Sequence, residues 1–135
     1  MNDKLAQLIM RHIDLIDGAN RLTNSILNAA KKGDVDTLVN DSDNRDRLIS
    51  VLDRFQKFVE EEIGNIKSNE VSKELVDILK TWSYEVSAWA SKTDEIDQQT
   101  LQLLEAQKEE TTKEIATIFK SRQQFSGYNL NNLKK

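Results

Sequence analysis

The sequence predicts an all-α fold: an antiparallel bundle of three long helices, with the third open to a bend or break that would make a fourth. Three observations carry that expectation. Among 135 residues there is no proline and there are only four glycines, so the usual breakers of regular structure are nearly absent. Apolar residues recur at alternating steps of three and four along three long stretches, a spacing that places them on one face of a helix. One clear punctuation mark, Gly33-Asp34, separates the first two stretches.

The first element begins at Leu5, and its stripe is Leu5, Leu8, Ile9, Leu15, Ile16, Ala19, Leu22, Ile26, Leu27 and Ala30, with His12 in the one gap. It ends at Lys31-Lys32-Gly33: lysines suit the negative end of the helix dipole, and glycine reaches the left-handed conformation that closes a C-terminus. Asp34 then reads as the N-cap of the second helix, with Asp36 in its favoured first turn. The second stripe runs Val35, Leu38, Arg45, Leu48, Ile49, Leu52, Phe55, Val59, Ile63 and Ile66, thin between Val39 and Leu48, with Arg45 as its one charge.

A turn over residues 66–70, capped by Ser68 or Asn69, leads into the third element. There Leu75, Trp82, Trp89, Ile96 and Leu103 fall seven apart, with Leu79, Val86, Thr93 and Thr100 at the companion position, which is a coiled-coil-like seam. The stripe then drifts to Leu104, Thr111, Ile115, Ile118 and Phe119, as a helix of 3.6 residues per turn requires. No glycine or proline interrupts residues 71–126, which makes Gly127 the natural stop. Residues 1–126 read as a single bundle domain and 127–135 as a flexible C-terminal tail.

These lengths leave a surplus. The first two helices span about 45 to 50 Å each, whereas a third helix over residues 70–123 would run on the order of 80 Å. Running antiparallel to the second helix, it has covered its partner by about Gln102, so Leu103 to Phe125 would project past the turn at Gly33. A stripe of that size is rarely left wet, because apolar patches of this kind mark interaction sites. Three outcomes are open: a bend within residues 90–100 that folds the end back into a four-helix bundle, pairing with a second copy as a homodimer, or a grip for a client helix. The candidate partner-binding residues are Trp89, Ile96, Leu103, Leu104, Ile115, Ile118, Phe119, Phe125 and Tyr128. Trp82 reads as core, and Trp89 is divided between core and contact surface.

Chemistry is hard to place anywhere on the chain. Residues 33–46 hold five aspartates, yet no calcium loop fits: starting at Asp41, positions 5, 6 and 12 are Arg45, Asp46 and Leu52, and starting at Asp34, positions 6 and 12 are Val39 and Arg45. The acids fit a capped helix start and a solvent face instead. His12 is the only histidine and lies among inward residues, so a packed, neutral imidazole is expected rather than a phosphotransfer or metal-binding one. No phosphate loop, nucleophile elbow or HExxH helix occurs, and Glu60/Glu61 and Glu109/Glu110 sit on different helix faces. The expectation is a non-enzyme without metal or cofactor. A net charge of -4 with mixed signs gives no footing for nucleic acid, no run suits membrane insertion, and the absence of cysteine and of a leader pattern at the N-terminus favours the cytoplasm.

The stretch from Ile26 to Phe55 resembles the first helical hairpin of the flagellar export chaperones of the FliT type, with FlgN-type chaperones as close relatives. The residues that carry the resemblance are Ala29, Ala30, Gly33, Asp34, Leu38, Arg45, Leu48, Ile49 and Leu52. The resemblance implies a cytoplasmic chaperone that shields a flagellar client, the filament-cap protein or hook-filament junction proteins, and delivers it to the export ATPase and export gate. It also implies an aromatic near the C-terminus for docking at the gate, for which Phe125 and Tyr128 are candidates, and a C-terminal helix able to fold over the client site. The rival expectation is a structural coiled-coil homo-oligomer or helical adaptor unrelated to export.

Overall fold

The computed structural model describes residues 3–107 and 112–121, and among them every regular element is helical. The order is α1 (Asp3–Lys32), α2 (Val35–Gly64), a 3-10 turn at Ser68–Glu70 and α3 (Lys73–Ala106), followed by a helical segment over residues 112–121, α4. The chain is an all-α bundle.

The turn between α1 and α2 is built by the residues that announced it. Gly33 has φ +70°, the one positive φ among the described residues. This lets its amide reach the Ala30 carbonyl at 3.3 Å while the Asp34 amide reaches that of Ala29 at 2.9 Å, the paired closure of a helix C-terminus that left-handed glycine permits. Asp34 caps α2: its carboxylate accepts from the Thr37 amide at 3.1 Å and the Thr37 hydroxyl at 2.7 Å, and these bonds hold its pKa below the ordinary value. The α3 cap differs from expectation. Ser68 and Asn69 lie inside the 3-10 turn, where the Lys67 amide donates to Glu70 Oε1 at 3.2 Å, and Ser72 caps α3 by accepting from the Leu75 amide at 3.1 Å.

Helix α1 is the central one. Both α2 and α3 approach its backbone closely, whereas α2 and α3 meet through side chains alone. Gly18 helps: a β-carbon there would stand 3.3 Å from Leu48 Cδ2, so α1 and α2 are as near as the missing side chain allows. The core is stacked in three layers along the bundle. Leu5, Ile9, Val59 and Leu75 fill one end, and Ile16, Ala19, Leu52, Val86 and Trp89 fill the middle. Ile26, Ala29, Ala30, Leu38, Leu101, Leu104, Ala116 and Phe119 close the other end. The sequence order within the layers makes α2 antiparallel to both α1 and α3.

The third helix is broken, and the break lies away from the expected stretch. Helix α3 is continuous through residues 90–100 and ends at Ala106, with Gln107 extended at φ -80°, ψ 140°. Gln107 Nε2 donates to the Ala30 carbonyl at 3.3 Å, so its amide group helps satisfy the end of α1, where carbonyls lack helical partners. Beyond it α4 returns to the bundle and buries Ala116 and Phe119 in the third layer. Of the three outcomes the sequence left open, the structure takes the fold-back into a fourth helix, but it breaks the chain at Gln107 rather than within residues 90–100. The physical reason is the surplus itself: α3 has outrun α1, and folding back buries Leu104 and Phe119, each 2 % exposed, which outweighs a few lost helical hydrogen bonds.

Candidate partner-binding surface

Where α4 crosses the end of α2, the packing is partly polar. Arg45 on α2 is 2 % exposed and Asp97 on α3 is 1 % exposed. Their side chains pair at 2.8 Å, and Arg45 Nη1 also meets Thr23 Oγ1 of α1 at 3.1 Å. One arginine thus ties three helices. Burial pushes the Asp97 carboxyl up, and the Arg45 guanidinium pulls it back. On its far side the guanidinium carbon stands 5.4 Å from the Phe119 ring centroid, within cation–π range. Phe119 of α4 is therefore the lid over a buried charge. Around it Ser42 Oγ, Arg45 Nε, Thr93 Oγ1 and Thr112 Oγ1 have no hydrogen-bond partner among the described residues.

Asp97 was not singled out in the sequence, although an acid on the third helix was a candidate partner for Arg45. The heptad reading put Ile96 and Leu103 inward, but an α-helix drifts against a strict seven-residue repeat. The buried row is Val86, Trp89, Ala90, Thr93, Asp97, Thr100, Leu101 and Leu104. Ile96 and Leu103 sit half-buried on its flank. The signal was present in Thr93, whose next helical neighbour at four residues is Asp97. Arg45 was read as inward from its place in the α2 stripe, with Asp41 or an acid on the third helix as its candidate partners; the partner is Asp97 of α3, and Asp41 accepts a hydrogen bond from the Ser25 hydroxyl.

The candidate contact residues separate into four sets. Trp89, Leu104 and Phe119 are buried, so α4 and the core already occupy them. Ile96, Leu103 and Ile115 are half-buried, and Ile118 is 53 % exposed. Phe125 and Tyr128 lie outside the described residues. Beside the docked α4 an open cleft of about 70 Å³ remains, lined by Leu38, Val39 and Ser42 of α2 and Ile115, Ile118 and Phe119 of α4. Val39, 40 % exposed, and Ile118 form its apolar lips. Neither Val39 nor Ser42 belonged to the predicted stripe, because the cleft exists only once α4 has folded back.

The lone histidine is packed, as its setting implied. His12 Nδ1 accepts from Trp82 Nε1 at 3.0 Å, and the rings meet edge-on at 5.9 Å. Burial lowers its pKa to about 4, against a smaller opposing effect of a backbone bond to Leu52. Among the described residues no group of three or more His, Cys, Asp or Glu side chains could hold a metal, and no helix is long and apolar enough to cross a membrane. Comparison with protein families, with curated proteins and with solved structures gave no match to this chain.

Proposed function

We propose that the chain is a client-binding helical module of the flagellar export chaperone kind, acting in the cytoplasm. It would shield a helical segment of a filament-cap or hook-filament junction protein and pass it to the export machinery. The observation that carries this reading is the return of α4 onto the bundle end. A helix of about three turns is marginal on its own in water, so α4 depends on the contacts of Ala116 and Phe119 with the third layer. Its release would bare Leu101, Leu104 and the Arg45 face, a groove of helical width. A client helix that fills that groove better than α4 shifts the population toward the open form. The motif resemblance over the first hairpin supports the same reading. Burial of the surplus stripe within one chain favours it over a coiled-coil homo-oligomer, which needs that stripe on its surface.

Affinity capture from cells that make flagella tests the reading, with the intact chain and a Phe119→Asp variant as baits. The expected outcome is recovery of a filament-cap or junction protein, with more recovered by the variant, whose α4 is loosened. Recovery of no export client or export component by either bait contradicts it.

A further inference from the structure

The cleft beside docked α4 has a chemistry of its own. Its floor and lips are Leu38, Val39, Ile115, Ile118 and Phe119, and Ser42 is the one residue with a polar side chain in the lining. Ser42 is 4 % exposed, and its hydroxyl has no partner among the described residues. A buried hydroxyl without a partner is costly, and its residue lines an open cavity.

Among the described residues, each lip of the cleft has an acidic neighbour. On α2, Asp36 lies three residues before the lip residue Val39 and so beside it, and Arg45 is buried against Asp97. On α4, Glu114 lies one turn before Ile118 and so on the same side. Lys113 and Lys120 fall about 140° and 160° around that helix, facing away from the cleft. Asp36, Glu114 and Lys120 are all solvent-exposed. An apolar slot thus has an acid beside each lip, Asp36 on α2 and Glu114 on α4, while the two lysines of α4 face away from it.

We infer that this cleft docks a basic amphipathic segment of a partner protein. A bulky apolar side chain of that segment fills the slot, a polar group reaches Ser42 Oγ, and flanking lysines or arginines meet Asp36 and Glu114. The inference rests on the client-binding reading and adds the chemistry of the client: cationic flanks around an apolar anchor, engaged while α4 is still docked.

The test uses the full chain, labelled for amide NMR, and a short helical peptide with leucines on one face and lysines on the other. A glutamate-for-lysine counterpart serves as the comparison. The lysine peptide is expected to shift the amides of Val39, Ser42 and Ile118, and to lose affinity at least about tenfold between about 50 and 500 mM salt. Ile118→Ser and Glu114→Lys, both at exposed positions, should each weaken it while leaving the helical circular dichroism intact. Equal binding of the glutamate peptide, shifts that map elsewhere, or indifference to both substitutions overturns the inference. So does concentration-dependent self-association abolished by Ile118→Ser, which would assign the cleft to a second copy. A chain that captures an export client yet fails these peptide criteria overturns the cleft assignment alone, because capture reports on α4 release.

Discussion

Arg45 and Asp97 show how one buried charge organises a bundle that is otherwise held by Leu and Ile. Taking both ions out of water is expensive, and the pair offsets this only while both partners are present. Arg45→Met should therefore destabilise the chain by about 3–5 kcal/mol, as should Asp97→Leu, whereas the double replacement should recover most of the loss. Chemical denaturation of the three variants checks it, and strict additivity of the two losses would show that the pair is not coupled. His12 gives a pH dependence whose sign is fixed by its lowered pKa. Below pH 6.5 the unfolded chain takes up a proton at His12 that the folded chain refuses until about pH 4. The stability present above pH 6.5 is lost as pH falls through that window, by about 3 kcal/mol in all. Urea midpoints followed by tryptophan fluorescence should fall across the window in the native chain, and much less in His12→Gln.

At the scale of elements, the ends of helices are where sequence and structure agree most and also where they part. Gly33 closes α1 in the left-handed region with nothing within 4 Å of its missing β-carbon. Gly33→Ala should cost about 1 kcal/mol through backbone strain alone, and Ser72→Ala about 1 kcal/mol through the lost α3 cap; thermal unfolding of each variant measures both. The Gly33 turn, the Asp34 cap and the inward place of Arg45 were legible because each rests on local chemistry. The break at Gln107 was not. Leu103, Leu104, Glu105, Ala106 and Gln107 are good helix formers, and nothing local tells the chain to stop. What stops it is the end of α1 at Lys32 and the burial available to Phe119, both of which are tertiary facts. An acid on the third helix was a candidate partner for Arg45, but Asp97 was not singled out among them, since a seven-residue rule was applied to a helix that drifts against it.

At the scale of the whole molecule, α4 is the element whose docking decides what surface the protein presents. Two layers of core, between Leu5 and Trp89, are independent of it. Its own hold on the bundle is the third layer and the Phe119–Arg45 contact. Local opening of such a segment needs far less free energy than global unfolding. Amide hydrogen exchange on the intact chain, resolved by segment, measures that difference directly. The account predicts that residues 112–121 exchange at least about a hundredfold faster than residues 12–27 of α1, and that Phe119→Ala widens the gap. Protection of 112–121 equal to that of the α1 core would show α4 to be a fixed part of one cooperative unit, and would contradict its role as an exchangeable cover.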